Sequence, residues 1–266
     1  MNEIDWDDAY ANGAHIEDAQ SYPPKWAGLA AEFRTNHSAQ SRLDVAYGTN
    51  PREVLDLFTP TVASKGLVVF VHGGYWKAFD KSSWSHLAHG ALRRGFSVVL
   101  PSYPLCPDAR VAGITKSIAH AIEKAAHLVS GPVHLSGHSA GGHLVTRMLC
   151  GDVGMAKDVR QRLARVVSVS GVHDLRPLLN TAMKKELCLS AEEAGSESPL
   201  LQQPVCEIPV TAWVGAMERP VFIDQSRWLS ENWPLADLAI APQKHHFDVI
   251  DDLALPESAL IQALLG

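Results

Sequence analysis

The rhythm of apolar and polar positions changes near residue 60. Across residues 43–47 and 54–58 the two kinds alternate, separated by a turn at Gly48-Thr49-Asn50-Pro51. Period two predicts strands with one covered face, here an antiparallel hairpin. Beyond it, Leu67-Val68-Val69-Phe70-Val71 is apolar without a break, as expected of a strand buried on both faces in a parallel sheet. A helical stretch at 84–93 closes at Gly95, and 96–100 is a second buried run ending at Pro101. Helical spacing returns over 114–129 and stops at Gly131-Pro132. A strand at 133–136 leads into a helix over 140–150. Strands at 166–170, 210–214 and 238–240, with helices at 220–232 and 256–265, complete the pattern.

Strands alternating with helices after an opening hairpin predict an α/β chain, a mostly parallel, doubly wound sheet. One domain is expected over residues 1–266. Residues 1–40 have little strand character, and Pro23-Pro24 sets up a helix at 26–33, read as an N-terminal helical flap. The polar, Glu-rich stretch 174–209 has no clear strand and reads as an insertion over the sheet edge, a small lid.

Composition narrows the class. Of 266 residues, 46% are apolar and 20% charged, an ordinary globular mixture. The net charge of −6 comes without blocks of like charge, which speaks against nucleic acid and against a polybasic membrane contact. Four cysteines, Cys106, Cys150, Cys188 and Cys206, form no C-x-x-C pair and read as free thiols in a reducing compartment. The start, Met1-Asn2-Glu3-Ile4, lacks signal-peptide character, and no apolar run could span a bilayer. A cytoplasmic protein acting on a small molecule is expected. Nothing in the chain speaks to oligomeric state.

The chemistry starts at Gly137-His138-Ser139-Ala140-Gly141, a G-x-S-x-G motif between a predicted strand and a predicted helix. That context lifts the serine onto a strained turn, with the helix N-terminus behind it where negative charge develops. Ser139 is the candidate nucleophile. His72-Gly73-Gly74-Tyr75-Trp76 follows the first fully apolar strand. Adjacent glycines let a loop aim its amides at an oxyanion, so the amides of Gly73, Gly74, Tyr75 and Ala140 are the candidate donors. His72 is expected to brace this loop. Tyr75 and Trp76 could flank an aromatic leaving group.

Chain order in this architecture is nucleophile, acid, histidine. Lys244-His245-His246-Phe247 lies where the histidine should be; His246 is preferred because Phe247 could pin it against the sheet, with His245 the alternative. Glu218 is the first carboxylate past the strand at 210–214, and Asp224, within the next helix, is the runner-up. The acid would hold the imidazole tautomer and stabilise the imidazolium. His72, His86 and His89 lack metal-ligand spacing, and no metal or cofactor is expected.

The His72–Trp76 loop and Gly137-His138-Ser139-Ala140-Gly141-Gly142-His143-Leu144 resemble the kynurenine formamidase (arylformamidase) family of α/β-hydrolases, related to hormone-sensitive-lipase-type esterases. The resemblance extends through Leu55-Asp56-Leu57-Phe58, Ser102-Tyr103, Ser170-Gly171-Val172-His173-Asp174-Leu175 and His246-Phe247, most of the chain from residue 40 onward. It implies the α/β-hydrolase fold and hydrolysis of an N-formyl aryl amide, N-formylkynurenine in the type case. It maps the triad onto Ser139, His246 and Glu218, although many members carry Asp as the acid, and it carries Trp76 over as the aromatic of H-G-G-x-W. A carboxylesterase acting on small acyl esters runs the same acyl-enzyme chemistry and stands as the alternative.

Overall fold

The unbroken apolar strand shows why the chain folds in layers. In a computed structural model that describes residues 4–266, Leu67–Val71 is buried along its whole length. Successive side chains of a strand point to opposite faces. Val68 and Phe70 join a core with Trp26, Trp84 and Leu260, whereas Leu67, Val69 and Val71 join another with Ile114, Ile118 and Leu144. A sheet between two cores therefore needs apolar residues at every position.

The strands are β1 (Ser41–Ala46), β2 (Val54–Phe58), β3 (Leu67–Val71), β4 (Ser97–Pro101), β5 (Val133–His138), β6 (Leu163–Val169), β7 (Val210–Gly215) and β8 (Ala236–Ala241). They form one sheet in the order β1-β2-β4-β3-β5-β6-β7-β8. β2 runs antiparallel to β1 and β4, and the later pairs are parallel. This is the mostly parallel sheet with an opening hairpin that the alternation predicts. Element ends differ modestly. The flap helix extends over Tyr22–Asn36 with prolines in its first turn. The stretch expected as a helix at 84–93 divides into a 3-10 turn, Ser85–Ala88, and a helix, His89–Arg93. The last helix starts at Ala259, where Ser258 Oγ caps it by accepting from Ile261 N.

Strand order places the chemistry. The chain leaves β3 for β4 on one side and returns to β5 on the other, so the loops after β3 and β5 emerge side by side. Such a switch in strand order opens a crevice at the carboxyl ends of a parallel sheet. The ends of β7 and β8 follow along the same edge of the sheet.

The stretch 174–209 contains short helices, including Met183–Glu186 and Ala191–Ser196, and packs on the helices Val111–Leu128 and Ala140–Arg147. Leu178, Leu187 and Leu189 are buried in the core on that face. Glu197 accepts from Arg147 Nε at 3.1 Å and from Thr115 Oγ1 at 2.6 Å, and Glu193 pairs with Arg110 and accepts from Ala112 N. Glu193 and Glu197 are therefore buried anchors, whereas Glu186, Glu192 and Glu207 face solvent. The first three residues of the expected 1–40 flap lie outside the described residues. Among the described residues, no helix is long and apolar enough to cross a membrane.

Candidate active site

Ser139 sits between β5 and the Ala140–Arg147 helix with φ 54° and ψ −116°, a strained region for a residue with a Cβ. The flanking glycines are required by close approach. A Cβ on Gly137 would lie 2.2 Å from Gly141 O, and one on Gly141 would lie 2.0 Å from Val71 O. Ser139 N donates to Val169 O at 2.8 Å, which pins the turn to the end of β6.

The loop after β3 curls through consecutive left-handed residues, Gly74 (φ 108°), Tyr75 (φ 49°) and Trp76 (φ 56°). Lys77 N and Ala78 N both donate to Gly74 O at 3.0 Å, and Cys106 N donates to Trp76 O. His72 braces the loop: its Nδ1 donates to Gly73 O at 2.7 Å, and its ring stacks on Tyr103, whose hydroxyl donates to His72 O. Burial pushes the His72 pKa down to about 4, so it is neutral near pH 7. Among the described residues, the amides of Gly73, Gly74, Tyr75 and Ala140 donate to no protein acceptor.

His246 and Glu218 meet at the ends of β8 and β7. His246 Nδ1 donates to Glu218 Oε2 at 2.6 Å, and Glu218 Oε1 accepts from Gly215 N at 2.8 Å and from Ser170 Oγ at 2.5 Å. The two loops are joined by Met217 N donating to Lys244 O, an approach that a Cβ on Gly215 would block at 2.2 Å. With Nδ1 engaged, the neutral ring carries its free lone pair on Nε2. Asp224 is instead half-exposed and paired with Arg227. His245 is tied to the Tyr22 hydroxyl through Nε2 and accepts from Phe247 N and Asp248 N through Nδ1. His138, beside the serine, is neutral because burial lowers its pKa well below the ordinary value; its Nε2 donates to His246 O at 2.9 Å and steadies the histidine loop.

Ser139, His246, Gly73, Gly74 and Tyr75 line one cavity of about 380 Å³, within the range of small-molecule sites. Among the described residues, no hydrogen bond joins the Ser139 hydroxyl to the His246 ring; such contacts often tighten only with substrate. Trp26, Phe79, Trp84 and Phe247 form an aromatic wall, with Trp26 and Phe247 edge-on at 5.4 Å. Tyr10–Ala14, ahead of the flap helix, lines the same cavity, with Gly13 close to the Phe247 ring.

Two expectations are corrected here. Trp76 does not face the cavity: it is fully buried, and its Nε1 donates to His143 Nδ1 at 3.2 Å. Successive left-handed residues turn Tyr75 to the cavity and Trp76 into the core. Nor does 174–209 cover the site, since no residue of that stretch lines the cavity. Sequence reasoning missed Tyr10, Asn12, Trp26, Phe79 and Trp84 as wall residues. The usable signal was the density of aromatic residues at 6–33, which exceeds what a solvated flap needs.

The profile of the α/β-hydrolase family matches residues 68–262. Kynurenine formamidase of Salmo salar is 32% identical over 250 residues, covering 87% of this chain and 83% of that protein. Kynurenine formamidase of Danio rerio is 30% identical over 247 residues with the same coverage. A crystal structure from Silicibacter sp. TM1040, of a protein provisionally described as a thioesterase, superposes with a TM-score of 0.97 at 50% identity, covering 99% of this chain and 100% of that one. The chain therefore belongs to the α/β-hydrolase family, in the branch of the kynurenine formamidases, and is a hydrolase.

Proposed function

We propose that the protein hydrolyses N-formyl aryl amides, with N-formylkynurenine as the type substrate, through an acyl-enzyme on Ser139. The observation that carries this reading is the convergence, on one aromatic-walled cavity, of Ser139, unengaged loop amides and a histidine oriented by a buried carboxylate.

His246 Nε2 takes the Ser139 hydroxyl proton as Oγ bonds to the formyl carbon, and the carbonyl π pair moves onto oxygen. The amides of Gly74, Tyr75 and Ala140, with Gly73 beside them, receive that charge as fixed donors that need no reorientation. Glu218 stabilises the imidazolium without taking its proton. The C–N bond then breaks with its electron pair going to nitrogen, His246 returns the proton there, and the arylamine leaves. Water, deprotonated by His246, attacks the formyl ester; formate departs and Ser139 regains its proton. The aromatic wall supplies an apolar seat for the aryl group.

The test is kcat/KM across formyl, acetyl and butyryl derivatives of one aromatic amine, with N-formylkynurenine and short p-nitrophenyl esters alongside. A fall from formyl to butyryl is expected. A rise from acetyl to butyryl, with no cleavage of N-formylkynurenine, would decide for ester or thioester hydrolysis. That second reading is favoured by the provisional description of the Silicibacter protein.

A further inference from the structure

One polar side chain in the cavity wall has an unmet hydrogen-bonding capacity. Asn12 is only 5% exposed, and its Oδ1 is buried with no partner among the described residues. Its Nδ2 stands 3.5 Å from the Tyr75 hydroxyl. The Tyr75 proton is committed to Tyr10 O at 2.7 Å, so toward Asn12 this hydroxyl offers lone pairs alone. The amide must then turn its NH₂ to Tyr75, and its oxygen is the end left over. A buried acceptor without a partner is a standing cost to the fold. Asn12 lines the cavity that holds Ser139 and Tyr75. It also lines a void of about 10 Å³ shared with Glu218 and His246. It therefore lies on the His246 side of the site, where the leaving group takes its proton.

We propose that on substrate binding the Asn12 amide, held only by its 3.5 Å contact with Tyr75, turns its buried Oδ1 into the cavity, where it accepts a hydrogen bond from the N–H of the scissile amide as the C–N bond breaks, and that this contact selects amides over esters and thioesters. The proposal rests on acyl transfer at Ser139 as described above. Once Oγ has bonded to the formyl carbon, the substrate nitrogen is pyramidal. Its lone pair must point at the proton on His246 Nε2, so its own N–H is directed elsewhere and needs an acceptor of its own. The leaving oxygen of an ester, or sulfur of a thioester, has no hydrogen to place, and Asn12 contributes nothing to its departure. A site with a buried group reserved for a substrate N–H discriminates by leaving that group unpaired with the wrong substrate.

The experiment pairs a formanilide with the phenyl formate carrying the same ring substituents. Separate kcat and KM values are measured for the wild type, Asn12→Ala and Asn12→Asp. In Asn12→Ala the amide-to-ester ratio of kcat/KM should fall at least tenfold, through kcat. It should recover in Asn12→Asp, which keeps an oxygen acceptor. Equal losses on both substrates would overturn the proposal and leave Asn12 as a brace for Tyr75, and an unchanged ratio would overturn it as well. If neither variant folds, the N-methyl formanilide tests the wild type directly: a loss of at least tenfold against the N–H substrate is expected, and equal rates would overturn the idea. A wild type that cleaves the formate ester but no formamide is a distinct result. It would remove the formamidase reading first, and the role of Asn12 with it.

Discussion

Two segments outside the sheet, residues 4–16 and 174–209, both read as covers, and only the first lines the Ser139 cavity. The Glu-rich 174–209 reads as a cover but is an anchored part of the core. Its Glu197 meets Arg147, which is only 1% exposed, and Glu197 O accepts from His143 Nε2 at 2.7 Å. The N-terminal segment reads as a flap, and its Tyr10–Ala14 stretch lines the Ser139 cavity ahead of the flap helix. It is held by Tyr75 donating to Tyr10 O, by Gln225 Nε2 donating to the Tyr10 hydroxyl, and by a half-exposed ion pair from Asp8 to Arg219. Local composition reports whether a segment can be solvated; which segment covers a site depends on where the strand ends face.

The largest effect should come from neither segment. Ser139→Ala is expected to lower kcat by about 10³-fold or more with an unchanged fold, read by steady-state kinetics and circular dichroism. His246→Ala should match it, whereas His245→Ala should be mild. Damage from His245→Ala equal to that from His246→Ala would move the base away from the cavity. Glu218→Gln should cost on the order of 10² in kcat, and Asp224→Asn little; the reverse order would break the assignment of the acid.

Acid should next test the core on which the anchored segment packs. Burial lowers the pKa of His72 and His173 to about 4 and of His143 to about 3, against an ordinary 6.5. Below pH 6.5 the unfolded chain takes up protons that these rings refuse in the native state. Stability is therefore whole above that pH and is lost as pH falls toward about 4, with a slope near 1.4 kcal/mol per pH unit for each histidine. Urea midpoints measured between pH 7.5 and 4.5 should fall steeply. A flat profile would mean that the rings are protonated in the native state.

Glu197→Gln should then cost about 2 kcal/mol of stability, because it weakens a charge-assisted hydrogen bond to the buried Arg147 guanidinium, which keeps its ion pair with Asp152. Chemical denaturation would read this, with kcat close to wild type. A large loss of kcat with intact stability would return 174–209 to the role of a lid. The smallest effect should be that of Asp8→Asn in the covering segment. KM should rise by up to about fivefold, the scale of a surface ion pair, with little change in the melting temperature. No change in KM alongside a fall in melting temperature would make this segment structural rather than a cover.

Much of the site is legible because it is local. A serine at positive φ, with glycines two positions to either side packed on backbone, can be read from Gly137-His138-Ser139-Ala140-Gly141 between an apolar strand and a helix. The same holds for the glycines after β3 and for the alternation that gives β1 and β2. These features depend on φ, on Cβ clashes and on strand period, which act within a few residues.

The remainder depended on contacts between residues far apart in the chain. The pairing of Glu218 rather than Asp224 with His246 follows from where β7 ends beside β8 and from the turn that aims one carboxylate inward while the other finds Arg227. Tyr75 and Trp76 are equivalent as letters; a left-handed backbone at both sends one to the cavity and the other to His143. Asn12 becomes a cavity residue because Tyr75 and Gln225, both distant in the chain, hold the neighbouring Tyr10 in place. The sequence by itself determined the strand–turn–helix that presents Ser139 and the layered sheet around it, since short-range sterics and hydrophobic period suffice for both. Tertiary structure alone decided which carboxylate, which aromatic and which segment complete the cavity, because those choices are made by packing between chain segments that no local pattern brings together.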